Sequence, residues 1–295
     1  MDACPETIVV QSFRDRDVPG WIKRCLSTVR AWAMQSGFTY RMIGDEFLDL
    51  VPEWYRRKAG QRITVVTDLA RLLLARQCLE EGFDRVVWID ADVAILNPRG
   101  LCLDPHLQYG YCREVWVEKD GCGRLNVSFK VNNAACLFRN ENVARTHLDD
   151  YIGACRSIVA GLTRVRDHTE VGTKFLTSRN RQRSLPILRG FGLISPVIMQ
   201  ALLTSDAEVL KLFMRWHDGP LHGANLCNFF RSETEVGPRI PDEVYTAVLD
   251  KLTESEGNLL NGLQIALHDI SGSNLKTEDV RETGTRGYQW RRANG

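Results

Sequence analysis

Two carboxylates, Asp90 and Asp92, stand at i and i+2 directly after the apolar run Arg85–Ile89. Oxygen ligands in pairs suit hard divalent ions, Mg²⁺ or Mn²⁺, which bridge one or two carboxylates to the phosphates of a substrate. Such an ion acts as a Lewis acid and stabilises negative charge on a departing phosphate oxygen. The same two residues also suit a plain turn or strand-end cap, and spacing alone does not separate the two readings. The context favours chemistry. A long apolar strand precedes the pair, an apolar stretch follows it, and Asn97-Pro98 closes the segment. In open α/β sheets, ligands sit beyond the carboxyl ends of the strands.

The elements needed to place this pair can be read from the patterning. Thr7–Phe13 reads as a buried strand. Pro19 opens a helix to Gln35, with Ile22, Cys25, Leu26, Val29 and Trp32 at helical spacing. Phe38–Ile43 is a short strand, and Glu46–Arg62 two helical pieces broken at Pro52. Thr64–Glu81 carries an apolar stripe (Val65, Leu69, Leu72, Leu73, Leu79) and stops at Gly82. Arg85–Ile89 is apolar throughout, as a strand covered on both faces is. This alternation predicts an α/β fold, a three-layer α/β/α sandwich on a mixed, mostly parallel sheet. Further on, Leu107–Val117 and Val127–Arg139 read as strands, and Asn142–Ala160 and Val171–Ser178 as helices. Pro186–Ile194 and Val209–Trp216 read as strands, and Pro241–Ile270 as mainly helical. One domain is expected over residues 1–270, followed by a polar, Gly-rich tail over 271–295.

Composition narrows the class. Lys and Arg number 38 against 37 Asp and Glu, so no basic stripe argues for nucleic acid. Nine cysteines form no CxxC pair, and their number is odd. This argues against a disulfide framework or a zinc knuckle, and for a reducing, cytoplasmic setting. The N-terminus does not read as a signal peptide, and no apolar run reaches the length of a transmembrane span.

The run TDLARLLLARQCLEEGFDRVVWIDADVAILNP, Thr67 to Pro98, resembles the core signature of GT-A glycosyltransferases, in particular the families with glycogenin-like or mannosyltransferase-like DxD motifs. A looser resemblance extends from Thr7 to about Asn228. It implies a metal-dependent hexosyltransferase taking a nucleoside diphosphate sugar, a UDP-sugar before a GDP-sugar, with retention at the anomeric carbon and an unnamed acceptor. It implies that Asp90 contacts the ribose or a metal-bound water, that Asp92 binds Mn²⁺ or Mg²⁺ directly, and that the backbone of Ala91 approaches the nucleotide. Asp68 and Arg71, on one helical face at i and i+3, would face the donor sugar. Val10, Gln11, Ser12 and Phe13 would cradle base and ribose. Asn132 and Asn133, with Gly172 and Thr173, would line the sugar and acceptor pocket. A late histidine would complete the metal set. His222, followed by the small Gly223 and Ala224, is the first candidate and His217 the alternative.

Three other readings remain. A haloacid-dehalogenase-type phosphatase would use Asp90 as nucleophile, but its motif belongs to the first strand of its domain. A sugar-phosphate nucleotidyltransferase would want a Gly-rich loop after the first strand, where this chain has Ser12-Phe13-Arg14-Asp15. A non-catalytic sugar-nucleotide-binding protein would not need Asp90, Asp92, Asp68 and Arg71 together.

Overall fold

The computed structural model describes residues 6–165, 171–182, 184–217, 219–226 and 240–254. The expected tail over 271–295, the helical expectation past 254, and the acidic residues Asp167 and Glu170 lie outside them.

The expected mixed α/β architecture is present. β1 (Thr7–Ser12), β2 (Thr39–Ile43), β3 (Arg85–Ile89), β5 (Tyr109–Lys119) and β6 (Leu125–Arg139) form one sheet in the order β2-β1-β3-β6-β5. The pairs β1–β2 and β1–β3 are parallel, whereas β3–β6 and β5–β6 are antiparallel. Parallel and antiparallel pairings are therefore equal in number, against the expectation of a mostly parallel sheet. The cause is local. A parallel neighbour needs a long crossover, and in this sheet helices join successive strands only up to β3. β5 and β6 are joined by a hairpin instead, where Asp120 Oδ1 accepts from the N–H groups of Cys122 and Arg124 (2.8 and 2.9 Å).

The two sheet faces fill different cores. Ile8, Val10, Val86 and Trp88 pack with α2 (Glu53–Ala59), α3 (Ile63–Glu80) and α4 (Asn142–Gly161). Val9, Val87 and Ile89 face Val29 and Trp32 of α1 (Gly20–Gln35). A second sheet lies on the α1 side, in the order β4-β8-β7, from β4 (Val93–Ile95), β7 (Phe191–Leu193) and β8 (Gly223–Asn225). Their three-residue lengths left no periodic pattern, and of Pro186–Ile194 only Phe191–Leu193 is a strand. α5 (Gly172–Gln182) follows the undescribed stretch 166–170, and α8 (Asp242–Glu254) packs on α1 through Trp21 and Tyr245, stacked 4.2 Å apart.

Val209–Trp216 is a helix, not a strand. Its Val, Leu and Phe content suggested a strand, but Val209, Leu210, Phe213 and Met214 are the buried set, the i, i+1, i+4, i+5 stripe of a helix. α7 (Ala207–Trp216) starts at Asp206, whose side chain accepts from Val209 N–H (3.3 Å). The preceding helix α6 (Pro196–Thr204), with Pro at its first position, falls between the expected elements, where the patterning assigns none. Asp206→Ala should lower stability by about 1 kcal/mol through loss of the cap, measurable as a shifted urea midpoint at unchanged slope. A strand at this position would show no such cost.

Candidate active site

α3 runs antiparallel to β3, so its first turns stand beside the carboxyl end of that strand, and there Arg71 is buried at 7% exposure. Its Nη1 donates to the carbonyl oxygen of Asn133 (2.8 Å) and lies 3.0 Å from Asp90 Oδ1. Its Nη2 is 3.8 Å from Asp68 Oδ1, and Nε donates to Thr67 O (3.3 Å). Asp68 Oδ1 accepts from Asn133 Nδ2 (3.0 Å), and Oδ2 accepts from the backbone N–H of Gly172 (2.8 Å), at the first residue of α5. Asn133 Nδ2 also reaches Tyr151 Oη of α4 (3.3 Å). Asp68, Arg71, Asp90, Asn133 and Gly172, dispersed over about a hundred residues, thus form one polar knot.

A bulge makes this knot possible. The β5–β6 register jumps from Tyr111↔Cys136 to Cys112↔Asn132. Residues 133–135 of β6 therefore have no partner on β5, and their backbone turns toward the site. Ala134 O accepts from Asp90 N–H (2.7 Å), while Asn133 O serves Arg71. Asn132 faces elsewhere. Its Nδ2 donates to the buried carboxylate of Glu114, and its Oδ1 accepts from Ala134 N–H (2.6 Å). Trp116 Nε1 also donates to Glu114 (2.9 Å).

Electrostatics follow from this burial. Burial pushes the Asp90 carboxyl above its ordinary value of 3.8; Arg71 and a bond from Trp88 Nε1 (2.6 Å) pull it back, and Asp68 adds to the rise. Burial pulls the Arg71 guanidinium down, but Asp90 and Asp68 outweigh it and hold it charged. Glycine is required at 172, because a Cβ there would lie 2.6 Å from Asn133 Nδ2 and 2.8 Å from Asp68 Cγ.

The acidic turn has its own support. Asp90 O accepts from Val93 N–H (3.1 Å), closing a tight turn over Ala91 and Asp92, and it also accepts from Gln11 Nε2 (3.2 Å). Tyr40 Oη in turn donates to Gln11 Oε1 (3.0 Å). Gln11, fully buried, is therefore a strut for the turn, and the Val10 side chain belongs to the core. Ser12 and Phe13 stand half-buried at the end of β1. Asp92 is also half-buried, and its charge contributes to raising the buried Cys25 thiol of α1, which burial itself raises most. Asp90 and Asp92 thus face different neighbours.

The histidines fall elsewhere. Leu226 N–H donates to Asp92 O (2.9 Å), whereas Leu96 N–H donates to His222 O (2.7 Å) at the other end of the β4–β8 ladder. Four residues of strand separate the two levels, about 13 Å. The structure therefore does not bring His222 to Asp92. Its ring packs on Gly100 and Gly190, and Gly223 and Ala224, expected to admit phosphate, are buried in β8. His217 has both ring nitrogens on backbone oxygens, Nδ1 on Gly219 (2.8 Å) and Nε2 on Phe191 (3.2 Å). Among the described residues no three His, Cys, Asp or Glu side chains group as a metal site. What fits a divalent ion is the oxygen chemistry of Asp92 beside the carboxyl ends of β1 and β3, an ion shared with substrate phosphates and water; the imidazole half of the expected set does not fit. Tyr40, Trp88, Tyr151 and Glu114 escaped the sequence reading, since their partners come from other elements.

No family model and no curated protein matches the chain. Solved structures similar to it include a glycosyltransferase involved in the glycosylation of the major capsid of PBCV-1 (8% identity, TM-score 0.44, covering 83% of this chain and 100% of that one). The glycosyltransferase GlyE of Streptococcus pneumoniae TIGR4 in its apo form is similar at 10% identity and TM-score 0.39, over 91% of this chain and 64% of that one. Mouse xyloside xylosyltransferase 1, also apo, is similar at 10% identity and TM-score 0.37, over 79% and 99%. At TM-scores below 0.5 the functional reading rests on the residues of this chain.

A raised Asp90 carboxyl means that the folded state binds more protons than the unfolded one between pH 3.8 and the raised value. Stability should therefore fall as pH rises through that window, and Asp90→Asn should flatten the fall. Urea midpoints of both proteins from pH 4 to 7 check this.

Proposed function

We propose that the chain transfers a hexose from a nucleoside diphosphate sugar, with UDP as the favoured nucleotide, to an acceptor. The observation that carries this reading is the gathering of Asp68, Arg71, Asp90 and Asn133 into one knot at the carboxyl end of β3, with Asp92 in the adjoining turn. Polar groups convergent on that edge of an α/β sheet are where a ligand belongs.

Each residue then has a task. Gln11 and Tyr40 hold the turn. Arg71 fixes Asp90, which orders the floor of the donor site. Asp68 and Asn133 offer carboxylate and amide to sugar hydroxyls from positions set by Gly172 and Tyr151. Asp92 would hold Mn²⁺ or Mg²⁺ together with the donor's diphosphate, and such an ion neutralises the charge on a departing nucleoside diphosphate. Ser12 and Phe13, with the backbone of Ala91, stand nearest to receive the nucleoside. The reading extends to retention, on the likeness around Asp90-Ala91-Asp92, and the anomeric coupling in a product NMR spectrum checks it.

A phosphatase with Asp90 as nucleophile is disfavoured by geometry: its Oδ1 is occupied by Arg71 and Trp88.

Anion-exchange chromatography of UDP-glucose and UDP-galactose incubated with the protein should show UDP released in Mn²⁺ and not in EDTA, water taking the sugar in the absence of an acceptor. Asp92→Asn should slow release at least a hundredfold while melting cooperatively like the parent. Release at the parental rate would remove Asp92 from the ion.

A further inference from the structure

Arg113 of β5 and the exposed Arg189, just before β7, flank a cavity that also meets Gly190, Phe191 and His217. Neither guanidinium pairs with a carboxylate among the described residues. Arg113 is half-buried and lies flat over Phe129, its Cζ 4.5 Å from the ring centroid. Stacking of this kind restrains a side chain that otherwise loses much rotamer freedom on binding. Trp216 packs edge-on against Phe129 at 5.4 Å, and its buried indole N–H makes no hydrogen bond among the described residues. The wall thus carries two cations among apolar neighbours such as Val115 and Leu188, and no described anion answers them.

The position is informative. Asp90 is bonded to Ala134 of β6, and the bulge places Cys112 of β5 opposite Asn132. Arg113 follows Cys112 and pairs with Val131, three residues along β6 from Ala134, so it stands beyond the acidic turn and two strands away, on the order of 10–15 Å. The enclosed volume, about 10 Å³, is that of one water or one oxygen atom. An oxyanion at the mouth would insert one oxygen and leave the others to the planar donors of the arginines.

The geometry points to an oxyanion subsite between β5 and β7, which seats a phosphate or carboxylate of the acceptor beside the donor site. The subsite rests on the glycosyl-transfer reading only for the identity of its ligand. The test is calorimetric titration of the full chain with inorganic phosphate, and separately with acetate, at ionic strength held constant with chloride. Saturable binding of phosphate, acetate or both is expected, and the stronger of the two names the chemistry. Arg113→Gln and Arg189→Gln should each weaken it at least tenfold, and Arg113→Lys less, since an ammonium keeps the charge without the fork. Arg189 is exposed, so its variant keeps the test valid should Arg113→Gln fail to fold. Binding should be unchanged with Mg²⁺ and UDP at saturation. Absence of binding to the parent, undiminished binding to Arg189→Gln and Arg113→Lys, or displacement by UDP would each overturn the subsite. Arginine-dependent phosphate binding in a protein that ignores UDP would keep the subsite and overturn the transferase reading alone.

Discussion

A guanidinium held away from water is the constraint from which the site follows. Arg71 cannot lose its proton, so its surroundings must supply acceptors on every side. Asp90, Asp68 and the carbonyl of Asn133 do so. Each comes from a different part of the chain, so satisfying one side chain fixes α3, the end of β3, the bulge of β6 and, through Asp68, the first residue of α5. A half-satisfied network of this kind costs more than an apolar core. The site geometry is thereby tied to folding itself.

The acidic turn inherits that order and adds a division of labour. Asp90 is paired with Arg71, while the charge of Asp92 is felt by Cys25 of α1. Gln11 and Tyr40 hold the carbonyl at its start, and β8 holds the carbonyl at its end through Leu226. The ladder that anchors Asp92 is also what carries His222 out of reach, since it stands four residues along the same strand pair.

How far the sequence could be read depended on how local each signal was. The stripe of α3 and the unbroken apolar run of β3 are local, and both elements lie where patterning placed them. Asp68 and Arg71 were legible as a pair at i and i+3, but their burial was not, because it depends on Asn133 some sixty residues later. The bulge of β6 is invisible in composition, although Asn132-Asn133 marked its place. β4 and β8 are too short to show alternation, so nothing in the chain betrayed the seat of His222. α7 misled because β-branched and aromatic residues can line a helix as well as a strand when a cap such as Asp206 starts it.

The central claim is that this knot and its turn form a donor site for a metal-bound nucleotide. Calorimetric titration of the purified chain with UDP and with GDP, each in Mn²⁺ and in EDTA, tests it most directly. The account predicts binding of UDP that requires Mn²⁺ and is lost in EDTA. A cooperatively melting protein that binds neither nucleotide in either condition would contradict it.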